Sequence, residues 1–126
     1  MLRYAVHDVP YMLGDGENLK QVLMNLIDNS LTFSDKGCII DIDVRRKGDT
    51  VEIVIRDNGW GIPEEDLPHL RERFYRGKHG RRIKGTGLGL AFCDEIVKMH
   101  DGTMSIQSSA GEGTVVTLSI PYREVL

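Results

Sequence analysis

The sequence predicts an α+β fold, a two-layer sandwich in which helices cover one face of a β-sheet. Two stretches, "CIIDIDVRR" and "TVEIVIRD", alternate apolar and polar residues around "KGD", which predicts a hairpin over residues 38–56. Two other stretches, residues 19–33 and the one that "GTGLGLAFCDEIVKMHDG" opens, carry apolar residues at helical spacing. Because the strands occur in hairpins, we expect the helices to gather on one face of the sheet.

Length and composition indicate one domain, residues 1–126, that can bury a core of its own. The formal net charge of −3 argues against nucleic acid as a partner. No apolar run approaches the ~20 residues that span a bilayer, so direct membrane contact is not expected. Two cysteines without metal-like spacing are too few for a disulfide framework and favour a reducing, cytoplasmic compartment, whether or not a parent protein is membrane-anchored.

The first predicted helix begins at Asp15 or Gly16 and ends near Phe33. Its apolar stripe comprises Leu19, Val22, Leu23, Leu26, Ile27 and Ser30. Asn25 and Asn29 fall on the flank of this stripe, at its edge. Asparagine is a poor helix former because its side chain competes for backbone hydrogen bonds, so two of them one turn apart indicate a use for their amides.

The remaining elements follow in order along the chain. "RYAV" (residues 3–6) predicts a short edge strand, "EEDLPHL" a short helix after "NGWGIP", and residues 77–84 a basic loop. The second long helix should carry Leu88, Phe92, Ile96 and Met99 on one face and stop at Gly102. "TMSIQS" and "TVVTLSIP" around "SAGEG" predict a closing hairpin.

Four short motifs occur in a characteristic order. "NLIDN" lies on the first helix, "DNGWGIP" ends a strand, "RERFYRG" precedes the basic loop, and "GTGLGLAF" opens the second long helix. A glycine loop at a helix N-terminus offers free N–H groups and a positive dipole end to phosphate. Each motif alone is weak. Together they resemble the N, G1, F and G2 boxes of the catalytic ATP-binding domain of sensor histidine kinases, in the superfamily shared with gyrase, Hsp90 and MutL-type ATPases.

The resemblance implies a Bergerat-type fold, with a mixed sheet of about five strands covered by three helices and ATP under a lid between the G1 and G2 boxes. It implies that Asn29 binds Mg²⁺, that Asn25 and Arg76 act in catalysis, and that Asp57 accepts a hydrogen bond from the adenine amino group. The further nucleotide-binding residues that it implies are Phe33, Gly59, Gly61, Ile62, Arg73, Tyr75, Arg76, Gly85, Thr86, Gly87, Leu88 and Gly89. Gly59 and Gly61 would let the backbone approach the purine.

Alternatives remain for several of these residues. Phe33 belongs to the helix stripe and fits the core equally well, and the arginines Arg73 and Arg76 fit a solvated surface. The lid cations Lys78, Arg81, Arg82 and Lys84 are expected to steer the nucleotide. Two residues depart from the family pattern: Thr32 stands where many kinases carry lysine, and Arg71 replaces the first phenylalanine of the F box. The second departure puts lid packing in question.

The implied function is binding of Mg-ATP and donation of its γ-phosphoryl group to a histidine on a separate helical domain of the same kinase. That dimerisation and phosphoacceptor domain is expected upstream, since only 17 residues separate His7 from Asn25. The isolated domain would be a monomer, the parent a homodimer, and a response regulator an indirect partner. The alternatives are a self-contained ATPase, which needs a glutamate where Asn25 stands, and a nucleotide-sensing pseudokinase.

Overall fold

The computed structural model describes residues 2–7, 16–35, 37–72 and 89–122. Within these residues, five strands form a single sheet in the order β1-β2-β3-β5-β4. Their bounds are β1 Leu2–His7, β2 Ile40–Lys47, β3 Thr50–Asp57, β4 Thr103–Ser109 and β5 Gly113–Pro121. β1 runs parallel to β2, and the other neighbours are antiparallel, so the sheet is mixed. Both predicted hairpins and the predicted edge strand are confirmed.

The described helices are α1, Gly16–Thr32, and α2, Gly89–Met99. A 3₁₀ turn, Leu67–His69, occupies the position of the short helix predicted after "NGWGIP". The described part of the chain therefore holds two α-helices and this turn, where three helices were expected. Pro68 within the turn lacks a backbone N–H, which favours a short element here.

A single hydrophobic core lies between the helices and one face of the sheet. Val22 and Leu26 of α1 pack with Cys93, Ile96 and Val97 of α2 and with residues on one face of the sheet, Ile40, Ile55, Met104, Val116 and Leu118. Because side chains of a strand alternate between faces, this shared face puts both helices on the same side of the sheet. The two-layer sandwich predicted from the sequence is confirmed.

The buried face of α2 differs from the predicted one. Met99, placed there by helical spacing together with Phe92 and Ile96, is 68% exposed. Cys93 and Val97 are fully buried instead. The prediction for Met99 is wrong because Met99 is the last residue of α2, and because the helix packs against α1 as well as the sheet, which turns its buried stripe toward Cys93 and Val97.

The opposite face of the sheet is polar. Arg3 of β1 makes a bidentate ion pair with Asp41 of β2, at 2.6 and 2.8 Å. This hydrogen-bonded pair lowers the pKa of the Asp41 carboxyl and raises that of Arg3, but an exposed pair contributes little to stability. Neither described helix is long and apolar enough to cross a membrane.

Candidate functional site

Asp57, the last residue of β3, is held in a fixed orientation between the sheet and α1. Strand alternation puts it on the same face as Ile55, so its carboxylate points into the helix layer. Its Oδ2 accepts a hydrogen bond from the Ser30 hydroxyl at 2.8 Å, and its Oδ1 accepts one from the Gly59 N–H at 2.9 Å. A carboxylate has about four acceptor positions, so two protein donors leave capacity for a ligand amine.

Gly59 and Gly61 are required by contacts within the protein. A Cβ on Gly59 would lie 2.6 Å from the carbonyl oxygen of Phe33 and 2.4 Å from Ser34 Oγ. Gly61 has a φ of +73°, and its Cβ would lie 1.9 Å from the carbonyl oxygen of Ser109. By resemblance, both glycines were expected to let the backbone approach a purine. The structure supplies a different sufficient reason, which is close packing against the end of α1 and the β4–β5 turn.

Phe33 and Trp60 join the end of α1 to the loop that follows β3. Their rings meet edge to face with centroids 6.4 Å apart. The Trp60 backbone N–H donates to the Phe33 carbonyl at 3.0 Å, and the indole Nε1–H donates to Asp35 at 2.9 Å. Phe33 is half-buried and lies outside the main core, and its backbone carbonyl packs close to Gly59.

Ser108 of β4 fixes the other side of the same loop. Its Oγ accepts from the backbone N–H of Ile62 at 2.8 Å and donates to the Gly113 carbonyl at 2.8 Å. The Thr114 hydroxyl lies 2.8 Å away and can donate to it, since the Ser108 proton is already used. Sequence reasoning missed the roles of Ser30 and Ser108. The available signal for Ser30 was a hydroxyl inside a buried apolar stripe.

The asparagines Asn25 and Asn29 are both half-buried on the flank of α1, where the sequence placed them. Asn25 Oδ1 accepts a hydrogen bond from Gln21 Nε2 at 2.8 Å, and the Asn25 side chain lies close enough to Cys93 of α2 to favour a lower pKa of that thiol. Burial nevertheless raises the pKa of the Cys93 thiol from 9.0 to about 11, so Cys93 stays neutral and donates to the Val22 carbonyl. Asn25 is thus engaged at the α1–α2 contact.

Asn29 differs from Asn25, because no described residue hydrogen-bonds to its side-chain amide. Its amide oxygen is a hard, neutral ligand of the kind that Mg²⁺ accepts. Within residues 2–7, 16–35, 37–72 and 89–122, no cluster of three His, Cys, Asp or Glu side chains could form a complete metal cage. Mg²⁺ characteristically binds through one or two protein ligands plus phosphate oxygens and water, and Asn29, whose amide no described residue engages, fits that mode.

Several predicted site residues lie outside the described residues. These are Arg73, Tyr75, Arg76, Gly85, Thr86, Gly87 and Leu88. Gly89 is described, as the first residue of α2. The structure therefore brings together Asn29, Phe33, Asp57, Gly59, Gly61 and Ile62 around the end of α1 and the loop after β3. Thr32, in the position of the family lysine, is exposed at the end of α1.

Comparison with known proteins identifies the family. Residues 14–124 match the histidine kinase-, DNA gyrase B-, and HSP90-like ATPase family, and the chain belongs to it. The sensor histidine kinase RcsC of Escherichia coli K12 is 43% identical over 117 residues, which make up 90% of this chain and 12% of RcsC. The sensor-like histidine kinase SenX3 of Mycobacterium tuberculosis H37Rv is 39% identical over 112 residues, 87% of this chain and 27% of SenX3.

Solved structures agree with this assignment. The mycobacterial sensor histidine kinase MprB matches with a TM-score of 0.84 and 28% identity, covering 98% of this chain and 86% of the MprB chain. The predicted fold, the α+β sandwich of histidine kinase catalytic domains, is confirmed. The chain spans about an eighth of RcsC and about a quarter of SenX3, so it corresponds to one part of such longer proteins.

Proposed function

We propose that the chain is the catalytic domain of a two-component sensor kinase, which binds Mg-ATP and donates the γ-phosphoryl group to a histidine on a separate helical domain. The observation that carries this proposal is the Asp57 carboxylate. It is held by Ser30 and Gly59, faces the helix layer, and keeps acceptor capacity for a ligand amine. An oriented carboxylate acceptor suits the exocyclic amine of adenine.

The phosphate side of the proposed site starts from α1 and α2. Asn29 would hold Mg²⁺ through its amide oxygen, and the ion would neutralise charge on the terminal phosphates. Gly89 begins α2, whose N-terminal end favours anions. The predicted contacts of Arg73, Tyr75, Arg76 and Gly85–Leu88 with phosphate belong to the same proposal and rest on the resemblance alone.

Transfer to another domain is favoured over hydrolysis by the residue at position 25. A self-contained ATPase needs a carboxylate there to activate water, and an amide cannot serve as a base. In this protein the Asn25 amide oxygen accepts a hydrogen bond from Gln21, one turn earlier on α1, which orients the side chain. Phosphoryl transfer depends mainly on positioning and charge stabilisation, so it does not require a base on this domain.

The proposal includes partners that this chain does not contain. We place the dimerisation and phosphoacceptor domain of the same kinase upstream, with a response regulator receiving the phosphoryl group afterwards. The parent would be a homodimer with this domain in the cytoplasm. The sensor kinases RcsC and SenX3, of which this chain matches a part, support such an arrangement.

The selectivity between ATP and GTP tests the proposed role of the Asp57 carboxylate. Replacement of Asp57 by Asn should reduce ATP affinity about 10- to 100-fold, the range expected for loss of a hydrogen bond to a charged group, and change GTP affinity much less. Asp49→Asn is the matched control, since Asp49 makes the same charge change in the exposed β2–β3 turn, at the far end of β3. Titration calorimetry gives the ATP and GTP affinities of both variants relative to the unaltered chain. Equal losses for ATP and GTP would remove Asp57 from base recognition.

A further inference from the structure

Arg71 joins two elements of the fold that are distant in sequence. Its Nη2 donates a hydrogen bond to the Met104 carbonyl oxygen of β4. Its Nε lies 3.3 Å from Asp94 Oδ1 of α2. In the sheet that the described residues form, β4 is an edge strand, so some of its backbone groups have no partner strand there, and the guanidinium satisfies one of them. Arginine suits this geometry because its donors lie in a rigid planar fork.

Asp94 depends on this contact. It is only 9% exposed, and a buried carboxylate is costly unless it is paired. Its second partner is Lys98, one turn further along α2, at 2.8 Å. The Lys98 side chain is 71% exposed, whereas that of Arg71 is 39% exposed. Solvent therefore screens the Lys98–Asp94 pair more strongly, and the Arg71–Asp94 pair should offset more of the cost of burying the Asp94 charge.

The sequence positions of this pair give it a particular consequence. Arg71 lies one residue before Glu72, and residues 73–88 connect Glu72 to Gly89 at the start of α2. Asp94 is in the second turn of α2, ~7.5 Å along the helix axis from Gly89. The contact thus joins the chain just before residues 73–88 to the helix just after them.

We infer that Arg71 is a positioning residue, which fixes the start of α2 against β4 and thereby sets the phosphate side of the nucleotide site. This inference rests on the proposed function. At the position that departs from the F-box pattern, this chain uses an ion pair and a hydrogen bond. The departure noted in the sequence therefore acquires a role, with Asp94 as its partner.

Two readouts test the inference. Arg71→Gln should weaken Mg-ATP binding about three- to tenfold, as for one net hydrogen bond, and leave adenosine binding unchanged, because adenosine lacks the phosphates. Without nucleotide, amide hydrogen exchange in the first two turns of α2 should become faster in the same variant. In both measurements Arg71→Lys should fall between the unaltered chain and Arg71→Gln, since one ammonium cannot reproduce the planar fork.

The matched controls are Asp94→Asn and Lys98→Gln. Asp94→Asn should weaken Mg-ATP binding as much as Arg71→Gln does. The double variant should bind Mg-ATP no more weakly than the single variant with the lower affinity. Lys98→Gln, which removes the exposed partner of the same carboxylate, should leave Mg-ATP affinity within about twofold. Additive losses, equal losses for ATP and adenosine, or unchanged exchange in α2 would overturn the inference. If the unaltered chain fails to bind Mg-ATP, the proposed function is wrong, and the exchange measurement still decides the role of Arg71.

Discussion

The Ser30 hydroxyl donates a hydrogen bond to Asp57 Oδ2 over 2.8 Å, which joins the last turns of α1 to the end of β3. Ser30 is buried, and Asn29, the adjacent residue, presents an amide without a hydrogen-bonding partner among the described residues. Ser30 therefore holds Asp57, the proposed base-recognising acceptor, and the residue next to Ser30 on the same helix, Asn29, is the proposed metal ligand. A substitution of Ser30 should therefore alter ATP affinity through its effect on Asp57.

Ser30→Ala should reduce ATP affinity about three- to tenfold, because Asp57 loses one of its two orienting donors. The Asp57 carboxylate itself remains as the acceptor, so the loss of ATP affinity should be smaller than that caused by Asp57→Asn. Calorimetric titration of both variants provides the comparison. Thr32→Ala is the control, since this exposed hydroxyl lies on the same helix. A loss from Ser30→Ala no larger than from Thr32→Ala would show that Asp57 needs no support from Ser30.

Asn29→Ala should abolish the Mg²⁺-dependent part of ATP affinity and leave the Mg²⁺-free affinity unchanged. The fold should persist, with the free energy of unfolding within about 0.5 kcal/mol, because Asn29 hydrogen-bonds to no described side chain and does not fill the core. Titration with ATP in magnesium and in EDTA separates the two terms. Retention of the magnesium effect in the variant would exclude Asn29 as the ligand.

Gly61→Ala should destabilise the domain by several kcal/mol, since a methyl group there would clash with the Ser109 carbonyl. Gly48→Ala separates the clash from the backbone strain. Gly48 also has a positive φ, +58°, but no atom lies within 4 Å of the added carbon. Gly48→Ala should lower the free energy of unfolding by only about 1–2 kcal/mol. Urea unfolding of the two variants gives both values, and equal costs would mean that close packing at Gly61 is unimportant.

Stability should fall between about pH 9 and pH 11 because of Cys93. Burial raises the pKa of its thiol from 9.0 to about 11, so above pH 9 the unfolded chain loses a proton that the folded chain keeps. That difference lowers the free energy of unfolding by up to about 1.4 kcal/mol per pH unit. Cys93→Ser, which keeps a donor but does not ionise in this range, should show a smaller decline. Identical declines in urea titrations would contradict the assigned burial.

Periodicity was sufficient for most of the architecture. The alternation of "CIIDIDVRR" and "TVEIVIRD" gave the central hairpin, and the stripe from Leu19 to Ser30 gave α1 with both asparagines on its flank. The Met99 prediction failed because helical spacing defines a face but not its neighbours. In the folded protein α2 contacts α1 and the sheet at once, which shifts its buried side toward Cys93 and Val97.

Contacts between distant residues account for what the sequence did not predict. Ser30 meets Asp57, Ser108 meets the backbone of Ile62, and Arg71 meets Asp94, in each case across more than twenty residues. Such partners are defined by the register of the sheet and the docking of helices, which local patterns do not encode. The reason for Gly61 likewise became visible only with Ser109 beside it.

The most direct test of the proposed function is transfer of radiolabel from γ-labelled ATP. The 126-residue chain alone should bind Mg-ATP and neither hydrolyse it appreciably nor become labelled, because Asn25 is no base and the proposed acceptor lies on another domain. Addition of the parent kinase's helical hairpin should produce an acid-labile, base-stable phosphohistidine on the hairpin, faster when the two are linked. Rapid ATP turnover by the chain alone, or Mg-ATP binding without any label reaching the hairpin, would contradict the account.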